Sequence, residues 1–141
     1  MTINFDMDGT IADLYSFNGW LDCLLAFDPT PYEEAKPLLN LSILARQLNK
    51  LQKAGYTLRV ISWLSKNSCE EYDKAVTTAK MAWLKKHLPS VHWDEICIVA
   101  YGTPKSSCGD GILFDDELKN RLEWQGIAFD QTHILETLKT F

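Results

Sequence analysis

The chain has 141 residues, 46% of them hydrophobic and 23% charged, which is the make-up of one globular domain with a core of its own and excludes a disordered or fibrous chain. Its formal net charge of −5 speaks against a sequence-independent grip on nucleic acid, which needs a basic face. A small phosphorylated substrate stays open, because a local site can be positive on an acidic protein.

In chain order, residues 2–6 read as a strand that runs into a loop rich in acid and glycine. Residues 11–25 carry Ile11, Leu14, Phe17, Trp20, Leu21, Leu24 and Leu25 at helical spacing. Pro29 and Pro31 end that run, and residues 31–39 have room for a helical turn or two. Residues 41–54 form an amphipathic helix stopped by Gly55. Residues 56–62 are a buried strand. A long helix then runs from a cap at Asn67 or Ser68 to His87, with Glu70 and Glu71 at its start and Lys85 and Lys86 at its end, as the helix dipole favours. Strands follow at 96–100, 112–114 and 127–129, with a short helix at 120–125 and a last one at 132–138.

Strands that alternate with helices imply a three-layer α/β/α sandwich around a parallel sheet. The expected order of its five strands is 3-2-1-4-5, counted along the chain. The chain is one domain, with residues 14–40 as a small helical lid. No apolar run approaches the ~20 residues of a membrane span. Cys23, Cys69, Cys97 and Cys108 show neither C-x-x-C nor zinc spacing. With no targeting segment expected, they read as reduced thiols of a cytoplasmic protein.

Ligands of such sheets bind at the carboxyl ends of the strands. The first strand ends at Asp6, with Asp8 two residues on, and the second ends at Ser62. Lys105 follows the third, and Asp115-Asp116 ends the fourth. A carboxylate can attack phosphorus, and a second one can pass a proton to the leaving oxygen. Crowded acids call for a hard cation, for which Mg²⁺ suits oxygen ligands. A lysine, a hydroxyl and backbone amides answer the charge of a phosphoryl group, and Gly9 lets backbone approach it. Each residue also has a plain reading. Alone, Lys105 is a surface lysine, Ser62 a strand-end hydroxyl and Asp115-Asp116 a helix cap.

The run Asp6-Met7-Asp8-Gly9-Thr10 resembles the D-x-D-G-[TV] motif of haloacid dehalogenase superfamily phosphatases. Val60-Ile61-Ser62, Lys105 and Leu113-Phe114-Asp115-Asp116 stand where that superfamily has its second, third and fourth motifs. Trp83, His87 and Leu88, then a strand, Lys105 and Gly109-Asp110, look like the 5′(3′)-deoxyribonucleotidase family. The resemblance implies a Rossmann-like fold and a Mg²⁺-dependent phosphomonoesterase that works through an aspartyl-phosphate on Asp6. Asp8 would be the general acid and base, with its carbonyl on the metal beside Asp6. Asp116 would be the direct metal ligand of the acidic pair, with Asp115 acting through water or by orienting Lys105. Ser62 and Lys105 would hold phosphoryl oxygens, with donors added by the amides of residues 7–10, Gly9 and Thr10 among them, and of Trp63.

The substrate implied is a nucleotide. A polynucleotide 3′-phosphatase and a non-catalytic phosphate-binding module are the alternatives. The family carries a larger helical cap than residues 13–40 provide, and Trp63 stands where it has a second small hydroxyl residue. A small lid leaves the site open to a larger substrate, or to a partner chain such as a homodimer mate. Phe17, Trp20 and Phe27 are candidates for stacking on a base, against core or lid packing. Trp63 is a candidate pocket wall. Trp83 and His87 are expected to be structural, and His92 and His133 to be surface residues.

Overall fold

The computed structural model describes residues Met1–Phe141. The elements run β1 (Thr2–Phe5), β2 (Ala12–Asp13), α1 (Trp20–Leu25), α2 (Thr30–Glu34), β3 (Lys36–Pro37), α3 (Leu41–Lys53), β4 (Thr57–Trp63) and α4 (Glu70–His87). They continue with β5 (Glu95–Val99), a 3-10 turn (Lys105–Ser107), β6 (Ile112–Phe114), α5 (Leu118–Glu123), β7 (Ala128–Phe129) and α6 (Ile134–Leu138).

The main sheet has the order β5-β4-β1-β6-β7, with every pairing parallel. This is the expected order 3-2-1-4-5. The expected three-layer, Rossmann-like α/β fold follows, and its switch in strand order falls at β1. Side chains alternate across the strands. Ile3, Phe5, Leu58, Val60, Ile112 and Phe114 join Leu44 and Leu48 of α3, Trp83 of α4 and Ile134 and Leu138 of α6 in the main core. Ile61 and Leu113 join a smaller cluster with Trp124.

Asn4 ties the two central strands together from a fully buried position. Its Nδ2 donates to Asp110 O at 2.8 Å and Ile112 O at 2.9 Å, while Arg59 donates to its Oδ1 at 3.1 Å. The Phe5 and Phe114 rings stack at 5.2 Å. These contacts fix the ends of β1 and β6 side by side, which sets Asp6 beside Asp115.

The expected helix over residues 11–25 is only α1. The amides of Ile11 and Ala12 both donate to Met7 O, and that of Gly9 to Ala12 O, so the chain closes into a tight loop. Gly19 then takes a positive φ of 76°. The apolar residues of this run have two destinations: Ile11, Ala12 and Leu14 are buried, while α1 has no buried residue. Helical spacing therefore arose from two separate apolar surfaces. α2 packs on α4, and Lys36–Pro37 pair with Ala12–Asp13 in a two-stranded ribbon. Trp83 is fully buried and donates its Nε1 to Ala35 O at 2.7 Å, anchoring this insertion. No helix is long and apolar enough to cross a membrane.

Candidate active site

The loop after β1 presents Asp6 and Asp8. Thr10 Oγ1 donates to Asp6 Oδ2 at 2.9 Å, and Lys105 Nζ donates to Asp6 Oδ1 at 2.7 Å. The amides of Met7 and Asp8 have no partner in the protein, so two donors stand free beside Asp6. The amides of Gly9 and Thr10, expected as phosphate donors, are spent within the loop on Ala12 O and Met7 O. The loop is too tight for them to point outward. Gly9 serves another need: its φ is 83°, and a Cβ there would collide with the Asp116 carboxylate.

Lys105, only 3% exposed, also donates to Asp115 Oδ2 at 2.7 Å. Burial opposes the charge on this ammonium, but Asp6 and Asp115 outweigh it and hold its pKa above the usual lysine value. Asp115 is saturated: Asn120 Nδ2 donates to Oδ2 at 3.1 Å and the Glu117 amide donates to Oδ1 at 2.9 Å. Asp116 receives only Thr10 Oγ1, at 3.3 Å. Burial, then the negative charge of Asp6, pushes both Asp115 and Asp116 above the ordinary carboxylate range.

Lys80 was not singled out from the sequence. It is fully buried in α4, and its Nζ donates to Asp8 Oδ2 at 2.8 Å, Ser62 Oγ at 2.6 Å and Trp63 O at 2.6 Å. Its position carried a signal: Val76, Ala79, Trp83 and Leu84 are the buried residues around it on α4, and a lysine on such a face needs partners. Burial raises the pKa of Asp8, with Lys80 opposing. Ser62 is also fully buried, and it lies behind the cavity rather than in its wall.

A cavity of about 310 Å³ opens over Asp6, Asp8 and Lys105. Its walls include Tyr15, Trp20, Trp63 and Tyr101. Tyr15 meets Trp20 edge-on at 5.2 Å, and Trp63 meets Tyr101 edge-on at 5.0 Å. Trp63 is fixed by its Nε1 donating to Thr103 O at 2.8 Å, and Lys105 Nζ lies 5.6 Å from its ring centre. Phe17 is not part of the cavity, and Phe27 packs on Tyr72 at 5.4 Å.

Asp6, Asp115 and Asp116 can each offer an oxygen within 4.8 Å of the others. With Asp8 the site holds four carboxylates against the ammoniums of Lys80 and Lys105, a balance of −2 when all are charged. Hard oxygen donors with that excess fit a divalent cation such as Mg²⁺. Asp116, with most of its lone pairs free, suits direct contact better than saturated Asp115.

Solved structures share the fold. A chain of the Pnkp1/Rnl/Hen1 complex superposes with a TM-score of 0.57 at 16% identity, over 92% of this chain and 44% of the other. The protein thus spans less than half of that neighbour's length. The D,D-heptose 1,7-bisphosphate phosphatase of Burkholderia thailandensis superposes with a TM-score of 0.52 at 19% identity, over 86% of this chain and 69% of the other. No curated protein matches the sequence. A family model described as 5′ nucleotidase, deoxy (Pyrimidine), cytosolic type C protein matches residues 35–138, well over half of the chain. The chain therefore belongs to this 5′-nucleotidase family, within the haloacid dehalogenase superfamily of phosphatases.

Proposed function

We propose that the protein is a magnesium-dependent phosphomonoesterase that forms an aspartyl-phosphate on Asp6, and that its substrate is a nucleoside monophosphate. One observation carries the reading: Asp6 lies in the wall of an aromatic-lined cavity, steered by Lys105 and Thr10, with two free amides next to it and Asp8 two residues on. The nucleotide follows from family membership and from walls that suit a flat leaving group.

Asp6 attacks phosphorus, the bond to the leaving oxygen breaks, and Asp8 gives that oxygen a proton. Asp8 Oδ2 is held by Lys80, so the proton sits on Oδ1. Water then attacks the phosphorus of the aspartyl-phosphate, Asp8 takes its proton, and inorganic phosphate leaves as Asp6 is restored. Lys105 and the amides of Met7 and Asp8 meet the equatorial oxygens. Asp6, Asp116 and the Asp8 carbonyl would hold a Mg²⁺, which when bound would supply charge neutralisation at the phosphoryl group.

The test is hydrolysis of nucleoside 5′- and 3′-monophosphates and of 3′-phosphorylated oligonucleotides, with Mg²⁺ and with EDTA. Mg²⁺-dependent release, fastest from a mononucleotide, is the expected result. Preference for the oligonucleotide overturns the nucleotide assignment. Release that ignores both EDTA and Asp6→Asn overturns the phosphatase mechanism.

A further inference from the structure

A lysine is almost never fully buried unless paired, and Lys80 has three acceptors and no exposed surface. Of its acceptor residues, Asp8 and Trp63 line the cavity and Ser62 does not. Ser62 Oγ and Trp63 O belong to the end of β4 and lie 2.6 Å from Nζ. The Tyr32 ring lies against the ammonium, with its centre 5.0 Å from Nζ. The ammonium therefore links a rigid strand end to one oxygen of one carboxylate.

Resting on the phosphatase reading above, we propose that Lys80 is a positioning residue for Asp8, and that Ser62 anchors Lys80 by accepting its hydrogen bond. Hydrogen bonds from Asp6 N to Phe114 O and between Thr10 and Asp116 tie the loop to the end of β6, but the Asp8 carboxylate still turns about its own χ angles. With Oδ2 held by Lys80, Oδ1 is the oxygen left to serve the leaving group. A hydrogen bond from Lys80 also occupies a lone pair of Ser62 Oγ, which fixes this hydroxyl behind the cavity wall. A structural staple between α4 and β4 would need Ser62 and Trp63 O but not a carboxylate that lines the cavity.

The two assignments separate by leaving group. Protonation of the leaving oxygen matters greatly for an alkyl phosphate such as a nucleoside 5′-monophosphate. It matters little for p-nitrophenyl phosphate, whose phenolate leaves unaided. Kinetics of Lys80→Met on both substrates should show kcat/KM, which reports the steps through release of the leaving group, falling by ~100-fold or more on the nucleotide, the range lost with general acid catalysis. On p-nitrophenyl phosphate the fall in kcat/KM should be under ~10-fold, with inhibition by inorganic phosphate unchanged. Ser62→Ala should show the same pattern in milder form, and the double variant should fall no further than Lys80→Met alone. Should Lys80→Met not fold by circular dichroism, Ser62→Ala carries the comparison, since it removes one anchor and leaves the ion pair.

Equal loss of kcat/KM on both substrates in Lys80→Met, or in Ser62→Ala where Lys80→Met does not fold, overturns the positioning role. A Ser62→Ala variant with no loss selective for the nucleotide, beside a Lys80→Met variant that shows one, overturns the anchoring role of Ser62. Absence of Mg²⁺-dependent turnover in the wild type overturns the phosphatase reading itself, an outcome distinct from the other two.

Discussion

Asp6 and Lys105, 99 residues apart in sequence, meet at 2.7 Å between Oδ1 and Nζ, and the same ammonium reaches Asp115 at 2.7 Å. Lys105 is the only cation in contact with the proposed nucleophile, in a place from which water is nearly excluded. Lys105→Met should lower kcat/KM by ~100- to 1000-fold, the usual cost of losing one donor to a developing oxyanion. Steady-state kinetics on a nucleoside monophosphate checks this. A loss below tenfold would remove Lys105 from the phosphoryl site.

Asp116 should trade stability for metal. Burial and Asp6 raise its carboxyl pKa, so the folded state holds a proton that an unfolded chain releases near pH 4. The sign follows: this group costs nothing below that pH, and the metal-free fold loses stability as pH rises from there through the raised value. In EDTA at neutral pH, Asp116→Asn should melt higher than wild type, and the gap should close as pH falls toward 4. With Mg²⁺ the order should reverse, because only the wild type gains a large shift on binding. Thermal melts at two pH values, with and without Mg²⁺, test both signs. An Asp116→Asn variant less stable than wild type in EDTA would contradict the crowding.

Gly9→Ala should harm the fold and the metal site together. The backbone sits at φ 83°, where an L side chain costs ~1–3 kcal/mol, and the new Cβ pushes against Asp116. Urea unfolding and Mg²⁺ titration should both register the change. A variant with unaltered Mg²⁺ affinity would mean that Asp116 is not a ligand.

Trp63 should act on binding rather than on chemistry. Its ring walls the cavity, and stacking of a base on an aromatic is worth ~1–3 kcal/mol. Trp63→Ala should raise KM for a nucleoside monophosphate by ~10- to 100-fold while leaving KM for a small polyol phosphate within about twofold. Equal changes on both substrates would remove the indole from the leaving-group wall.

The sheet and most of the site were legible because their signals are local. β1, β4 and β6 are short apolar runs that each end in a polar residue, and order along the chain fixes a parallel sheet. The insertion was not legible, since Ile11 enters the main core while Leu14, Trp20 and Leu24 line the cavity, and the two sets together mimic one helical face. The direction of the amides that follow Asp8 was hidden as well, because only the closed loop shows that Gly9 and Thr10 donate inward. Lys80 escaped because no motif contains it. Its partners Asp8 and Ser62 lie 72 and 18 residues away, and only the packing of α4 on the sheet brings them together.

The central claim is that Asp6 becomes covalently phosphorylated. Protein mixed with substrate and Mg²⁺, quenched in acid and reduced with borohydride, converts an aspartyl-phosphate to homoserine, which peptide mass spectrometry locates. Homoserine at position 6, dependent on substrate and on Mg²⁺, is the predicted result. Turnover without any reduced residue, or reduction at another aspartate, would contradict it.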